Sequence, residues 1–205
     1  MAEVEFWYDF ASTYSYPAAM RIEGLAAERG VAVAWRPFLL GPLFASQGWG
    51  DSPFNLYPAK GRYMWRDLER ICGALGLAFV RPDPFPQNSL LAARVALTLD
   101  EALRPAFSRA VYRAEFAEGR PIDSPATLGP LLAEIGVAPD RTLARAAADA
   151  NKAALKAETA RAAALDLPGA PCLTTPDGEV FWGNDRLEQG LDWARRRAPP
   201  TKERT

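Results

Sequence analysis

The sequence predicts an α/β fold in which a small sheet is interrupted by a long, wholly helical insertion. Three observations support this prediction. A strand–helix–strand pattern spans residues 4–35, and helical periodicity alone runs from residue 62 to residue 165. A pair of short strands and a final helix then follow from residue 172. Strands at both ends of the chain must share one sheet to bury their apolar faces.

The first unit begins with an aromatic-rich strand at residues 4–8. A helix is predicted over residues 13–29, because Tyr16, Met20 and Leu25 repeat at helical spacing and Gly30 provides a C-terminal stop. Residues 31–35 form the second strand. This order predicts a parallel pair of strands with a right-handed crossover.

A loop rich in Gly, Ser, Asn and Pro is predicted over residues 46–58, and proline-rich turns separate the helices that follow. The predicted helices span 62–75, 89–103, 106–117, 124–135 and 142–165. Strands at 172–175 and 179–182 turn at a Pro-Asp-Gly sequence. A helix over 185–196 closes the pattern, and residues 198–205 are predicted to fray.

This order of elements is typical of a thioredoxin-like sheet divided by a helical insertion. We therefore predict a thioredoxin-like domain formed by residues 1–60 and 166–205, with residues 61–165 as the inserted helical domain.

Composition excludes several classes of function. The chain is 49% hydrophobic and 24% charged, which is ordinary for a globular protein, and its formal net charge of −1 argues against a nucleic-acid or membrane partner. No apolar run approaches the length of a membrane span. The first residues are acidic where a secretory signal would be basic, so we expect a cytoplasmic protein.

The chain contains no histidine, which removes the usual general base and the usual metal ligand. Its two cysteines, Cys72 and Cys172, fit neither a C-x-x-C redox pair nor a zinc pattern, and we expect no metal site. Both thiols are predicted to be buried and apolar in character, although Cys172 directly follows a proline and could be mildly redox-active. Catalysis would therefore have to use a borrowed group.

Ser12 follows the first strand in the sequence Asp-Phe-Ala-Ser, at the start of the predicted helix. One interpretation is an ordinary N-cap serine. The other is that its hydroxyl donates a hydrogen bond to a bound thiolate, because a helix start lowers the pKa of a thiol. Without a histidine, Ser12 would be a poor nucleophile.

Ala170 and Pro171 precede the returning strand. Proline is acceptable at a first strand position, but a cis bond there would leave the polar backbone groups of Ala170 free for an extended peptide ligand. Asn184 and Asp185 open the last helix. Asp185 has the spacing of a capping box with Glu188, and the same helix start could instead hold the ammonium and carboxylate of an amino acid.

Lys60 is either a solvated lysine or a point charge for a ligand carboxylate. Trp49 and Asn55 belong to the preceding loop, and they either pack there or cover a flat substrate.

Together these segments resemble the 2-hydroxychromene-2-carboxylate isomerases, which are related to kappa-class glutathione transferases and DsbA-like proteins. The resemblance covers nearly the whole chain in order. The matching pieces are Tyr8-Asp9-Phe10-Ala11-Ser12-x-Tyr14-Ser15-Tyr16, Trp35-Arg36-Pro37, Pro58-Ala59-Lys60-Gly61-Arg62-Tyr63, Phe85-Pro86-x-Asn88, Gly169-Ala170-Pro171 and Phe181-Trp182-Gly183-Asn184-Asp185-Arg186-Leu187.

The resemblance implies glutathione as the cofactor and a homodimer that acts on a small aromatic α-keto acid in aromatic-compound catabolism. Ser12 would lie beside the sulfur, and Lys60 near the glycyl end or the substrate. Ala170, Pro171, Asn184 and Asp185 would match family positions that contact glutathione. The predicted substrate residues are Trp49, Asn55 and Asn88, although the loop around Trp49 differs from the family's shorter form. In the family's chemistry, reversible thiolate addition lets a double bond rotate.

Three other functions remain open on the sequence alone. The first is a kappa-like transferase that releases a glutathione conjugate. The second is a relative of thiol–disulfide oxidoreductases that lacks C-x-x-C, and the third is a binding module without turnover. Consumption of thiol would distinguish transfer from isomerisation.

Overall fold

The computed structural model describes residues 2–46 and 48–197, and the predicted tail at 198–205 lies outside the described residues. Four strands form one mixed sheet in the order β2-β1-β3-β4. The strands are β1 (Ala2–Tyr8), β2 (Val31–Pro37), β3 (Cys172–Thr174) and β4 (Val180–Trp182). The helices are α1 (Ser15–Arg29), α2 (Leu40–Ser46), α3 (Pro53–Leu56), α4 (Pro58–Leu75), α5 (Leu90–Thr98), α6 (Arg104–Phe116), α7 (Pro125–Glu134), α8 (Pro139–Ala147), α9 (Asp149–Ala164) and α10 (Leu187–Arg197).

The sheet confirms the predicted thioredoxin-like topology. Strand β1 pairs in parallel with β2, with Phe6 opposite Trp35, and antiparallel with β3, with Phe6 opposite Leu173. Strands β3 and β4 form the predicted hairpin. The sheet thereby joins the start of the chain to its end and brings the turn after β1 beside the segment before β3.

Several predicted helices differ from the observed ones. The loop predicted over 46–58 contains α3, and α4 begins at Pro58, so the domain boundary predicted after residue 60 falls inside a helix. The helix predicted over 89–103 ends at Thr98. The helix predicted over 142–165 is two helices, because Ala148 is extended, with ψ 146°. This break lets both helices pack on α5, and the Asn151 amide donates to the freed Ala146 carbonyl at 3.2 Å.

The sheet and the helical block share one hydrophobic core. Tyr8 and Phe10 from the sheet side pack against Tyr112 of α6, with the Phe10 and Tyr112 ring centroids 5.2 Å apart. The guanidinium of Arg104, which is 9% exposed, donates to three backbone carbonyls, one of them on Trp35 of β2 at 2.9 Å. The insertion is therefore attached to the sheet by both apolar packing and buried hydrogen bonds.

Candidate functional site

Ser12 lies in the turn between β1 and α1, and two hydrogen bonds hold its hydroxyl group. The hydroxyl donates to the carbonyl oxygen of Ala170 at 2.9 Å and accepts from the N–H of Ser15 at 3.3 Å. The second bond stabilises the turn, but Ser12 is not the N-cap of α1. The helix begins at Ser15 and not at the predicted residue 13, and its N-cap is Tyr14, so the N-cap interpretation of Ser12 is wrong. The first bond joins the two distant segments that the sequence predicts to share a site.

The two segments that meet at this hydroxyl carry unpaired backbone donors. Within residues 2–46 and 48–197, the N–H groups of Thr13, Tyr14 and Ala170 donate to no protein acceptor. Such groups attract anions, and the adjoining helix start adds positive potential. The turn is therefore suited to a thiolate or a carboxylate.

The Ala170–Pro171 peptide bond is cis, as the interpretation of this segment as a ligand site requires. The expectation that both polar groups of Ala170 are free is wrong for the carbonyl, because that oxygen already accepts the Ser12 hydroxyl proton. An extended ligand would therefore find the free N–H of Ala170 and one remaining lone pair on its carbonyl oxygen.

Asn184 and Asp185 lie in a single 3-10 turn before α10. Asn184 is 7% exposed, and its side-chain oxygen accepts from Arg21 at 3.3 Å, which leaves its amide NH2 free to donate. The capping box predicted for Asp185 and Glu188 is wrong, because Glu188 forms a salt bridge with Arg21 instead. The carboxylate of Asp185 is largely exposed and can receive an ammonium group.

A cavity of about 460 Å³ opens beside the Ser12 turn. Asp9 and Ala11 of the turn line one side, α2 lines another, and the segments 49–52 and 86–90 complete the wall. This volume lies within the range of small-molecule sites, about 300–1,000 Å³. The cavity is therefore large enough for an aromatic substrate beside the turn.

The structure brings two of the three predicted substrate residues to this cavity. Trp49 and Asn88 line it. Asn55 is not among the lining residues; its amide donates to the Asp51 carboxylate at 3.1 Å and to the Phe85 carbonyl at 3.2 Å. Asn55 is therefore placed to hold the loop and not to face the cavity.

Lys60 lies outside the lining of this cavity. Its ammonium nitrogen is 4.5 Å from the ring centroid of Tyr57, and the side chain is exposed on the first turn of α4. The next turn of α4 contacts the site, because the Thr13 hydroxyl donates to the Met64 sulfur at 3.2 Å. A role for Lys60 toward a ligand stays a prediction.

Asp9 is a site residue that the sequence reasoning missed. Its carboxylate lines the cavity and accepts from the N–H of Ala11 at 3.0 Å and of Leu40 at 2.6 Å. Burial raises the pKa of the Asp9 carboxyl, although the bond from Leu40 opposes that change. The sequence does indicate this residue, because an acidic side chain directly after a buried strand is typical of a functional loop.

Glu115 on α6 is a second buried acid near the site. The residue is fully buried, and neither carboxylate oxygen has a hydrogen-bond partner in the described part of the chain. Burial raises the pKa of Glu115 well above its usual value, and the charge of Asp9 raises it further. The charged form of Glu115 is therefore disfavoured in the folded protein.

Neither cysteine can supply a thiolate near neutral pH. Both thiols are free and buried, as expected from the sequence. Burial raises the pKa of Cys172 to about 12 and that of Cys72 to about 11. The Cys172 thiol donates to the carbonyl of Gly169 at 3.2 Å. The alternative of a redox-active Cys172 is therefore disfavoured.

Comparison with known proteins agrees with this geometry. Residues 3–192 match the DSBA-like thioredoxin domain family. A 2-hydroxychromene-2-carboxylate isomerase from Sphingobium xenophagum is 27% identical over 187 residues, covering 90% of this chain and 94% of its own length. The enzyme of the same name from Pseudomonas putida is also 27% identical, covering 90% of each chain. A solved 2-hydroxychromene-2-carboxylate isomerase structure superposes with a TM-score of 0.83 at 26% identity, covering 95% of each chain. No helix within residues 2–46 and 48–197 has the length and hydropathy needed to cross a membrane.

Proposed function

The chain belongs to the DSBA-like thioredoxin domain family, and we propose that it acts within that family as a glutathione-dependent isomerase of the 2-hydroxychromene-2-carboxylate type. The relatives that carry this name align over nine-tenths of the chain. One observation carries the glutathione part of the proposal. The turn at Ser12, which carries unpaired N–H groups, faces Ala170, while both of the protein's own thiols are buried with raised pKa values. A reactive sulfur would therefore have to arrive with a ligand.

The residues around Ser12 fit glutathione. The unpaired N–H of Ala170 can pair with the cysteinyl part of an extended tripeptide. The exposed carboxylate of Asp185 and the free amide NH2 of Asn184 suit the ammonium and carboxylate of the γ-glutamyl end. Glutathione, when bound, supplies a thiolate that adds reversibly to a conjugated double bond and allows rotation about it.

The protein's contribution is to hold negative charge and to confine the substrate. The Ser12 hydroxyl, by rotating from Ala170, and the N–H groups of Thr13 and Tyr14 stabilise an anion at the turn. Trp49 provides a flat apolar wall, and Asn88 a polar contact, for an aromatic α-keto acid in the cavity. The proposed product is trans-o-hydroxybenzylidenepyruvate. We further propose a cytoplasmic homodimer that acts in aromatic-compound catabolism.

The test is isomerisation of 2-hydroxychromene-2-carboxylate by protein freed of thiols by dialysis. We expect turnover only after glutathione is added, no turnover with S-methylglutathione, and an unchanged thiol concentration at the end. The variant Cys172→Ala should retain the activity, because that thiol is not ionised. Full turnover without any thiol would contradict the glutathione dependence.

The same assay distinguishes the proposed isomerase from the alternative, a kappa-like transferase. Transfer would consume thiol and release a conjugate, whereas isomerisation regenerates the thiol. A thiol–disulfide oxidoreductase is disfavoured by the burial of both cysteines. The protein should therefore fail to reduce insulin disulfides in the presence of a small-molecule thiol.

A further inference from the structure

A second cavity, of about 510 Å³, lies between α2, α5 and α9, on the other side of α2 from the Ser12 turn. Its apolar part is formed by Leu43 of α2, Leu90 of α5 and Leu155 of α9. The volume again falls within the range of small-molecule sites.

Three cationic side chains line this cavity, and no acidic residue does among the described residues. They are Arg94 of α5 and Lys152 and Lys156 of α9. Lys152 pairs with the exposed Asp149 at 2.9 Å. Within the described chain, neither Lys156 nor Arg94 has a salt-bridge partner, although both line the cavity. These two unpaired cations give the cavity a net positive charge that suits an anionic ligand.

We propose that this second cavity binds a small organic carboxylate with an apolar body, such as an aromatic acid. The leucine side chains would cover the apolar body, and Arg94 and Lys156 would face the carboxylate. Nothing in this inference depends on the proposed isomerase activity, because binding can be measured without glutathione and without turnover.

The wall between the two cavities is anchored on both sides. The N–H of Leu39 donates to the Thr159 hydroxyl in the second cavity at 3.2 Å, and the N–H of Leu40 donates to Asp9 in the first at 2.6 Å. The second cavity is therefore bounded by a fixed wall, and an aromatic acid has two neighbouring places to enter. The experiment must tell them apart.

The probe is 2-naphthoate, titrated calorimetrically into the full-length protein at low ionic strength. Its neutral counterpart, 2-naphthalenemethanol, should bind at least tenfold more weakly. Arg94→Gln and Lys156→Gln should each weaken naphthoate binding about three- to tenfold, as expected for loss of a partly solvated charge contact. Arg141→Gln, an exposed change on α8 away from the cavity, is the control.

Two variants, each of which fills one cavity with a tryptophan side chain, show which cavity binds the naphthoate. Ala160→Trp occupies the second cavity and should remove one bound naphthoate per chain, whereas Ala45→Trp occupies the first cavity and should leave that naphthoate bound. Both alanines are exposed on helices, so the larger side chains should be accommodated. An unchanged number of bound naphthoates in Ala160→Trp, or equal affinity for the alcohol, would overturn the proposal. If Ala160→Trp does not fold, unchanged binding in both charge variants would overturn it equally.

Discussion

Replacing Glu115 by glutamine should stabilise the protein at neutral pH and flatten the dependence of its stability on pH. The carboxyl is buried without a partner, and burial raises its pKa well above the ordinary value of 4.5. The folded protein therefore keeps a proton that the unfolded chain has lost. A group with a raised folded-state pKa contributes most to stability below its unfolded pKa, and that contribution is lost as the pH rises toward the folded pKa.

The size of this change in stability follows from the one proton that folded Glu115 retains and the unfolded chain loses. Above about pH 5.5, and as long as the folded carboxyl stays protonated, wild-type stability should fall by about 1.4 kcal/mol per pH unit from this group alone. Glutamine does not titrate, so the difference in unfolding free energy between variant and wild type should grow at that rate. Asp9, whose pKa is also raised, is present in both proteins.

Urea unfolding followed by tryptophan fluorescence between pH 5 and pH 8, at constant ionic strength, measures this difference. Glu101→Gln, an exposed change, is the matched control and should follow the wild-type curve. If the stability of Glu115→Gln runs parallel to that of wild type across this range, the reasoning from burial is refuted.

Three further outcomes are expected. Ser12→Ala should raise the pKa of bound glutathione by about one unit, or roughly 1.4 kcal/mol; thiolate absorbance against pH measures it, and an unmoved midpoint would remove Ser12 from the mechanism. Arg104→Leu removes the guanidinium donor from three backbone carbonyls, of which Ala96 still accepts from the N–H of Leu99. Urea unfolding should show a loss of about 3 kcal/mol in the unfolding free energy, and a loss below about 1 kcal/mol would show that water replaces the guanidinium. Gly61→Ala places a methyl group 2.3 Å from the Phe54 carbonyl oxygen and should lower the melting temperature, whereas Gly73→Ala, with open space around it, should not.

The parts of the fold set by local patterns could be predicted from the sequence. Strand β1, helix α1 and the β3–β4 hairpin follow from apolar spacing, from Gly30 and from the Pro-Asp-Gly turn. The turn at Ser12 and the segment at Ala170 were predicted to share a site, and a 2.9 Å hydrogen bond joins them. These features depend on short stretches of chain whose residues fix their own geometry.

Features decided by distant contacts could not be predicted. The break at Ala148 carries no proline or glycine and arises because α8 and α9 both pack on α5. Pro53 and Pro58 start helices inside a segment whose composition indicates a loop. Glutamate is usually a surface residue, and only the packing around α6 shows that Glu115 is buried.

The aromatic contacts between the strand side and α6 have a consequence for anyone who wishes to trim or recombine this protein. Deleting the helical insertion would remove Tyr112 of α6, which packs on Tyr8 and Phe10. The apolar surface of these two residues would then be exposed to water. A protein shortened in this way should aggregate on expression. Shortening the chain would therefore require polar substitutions on the newly exposed apolar surface.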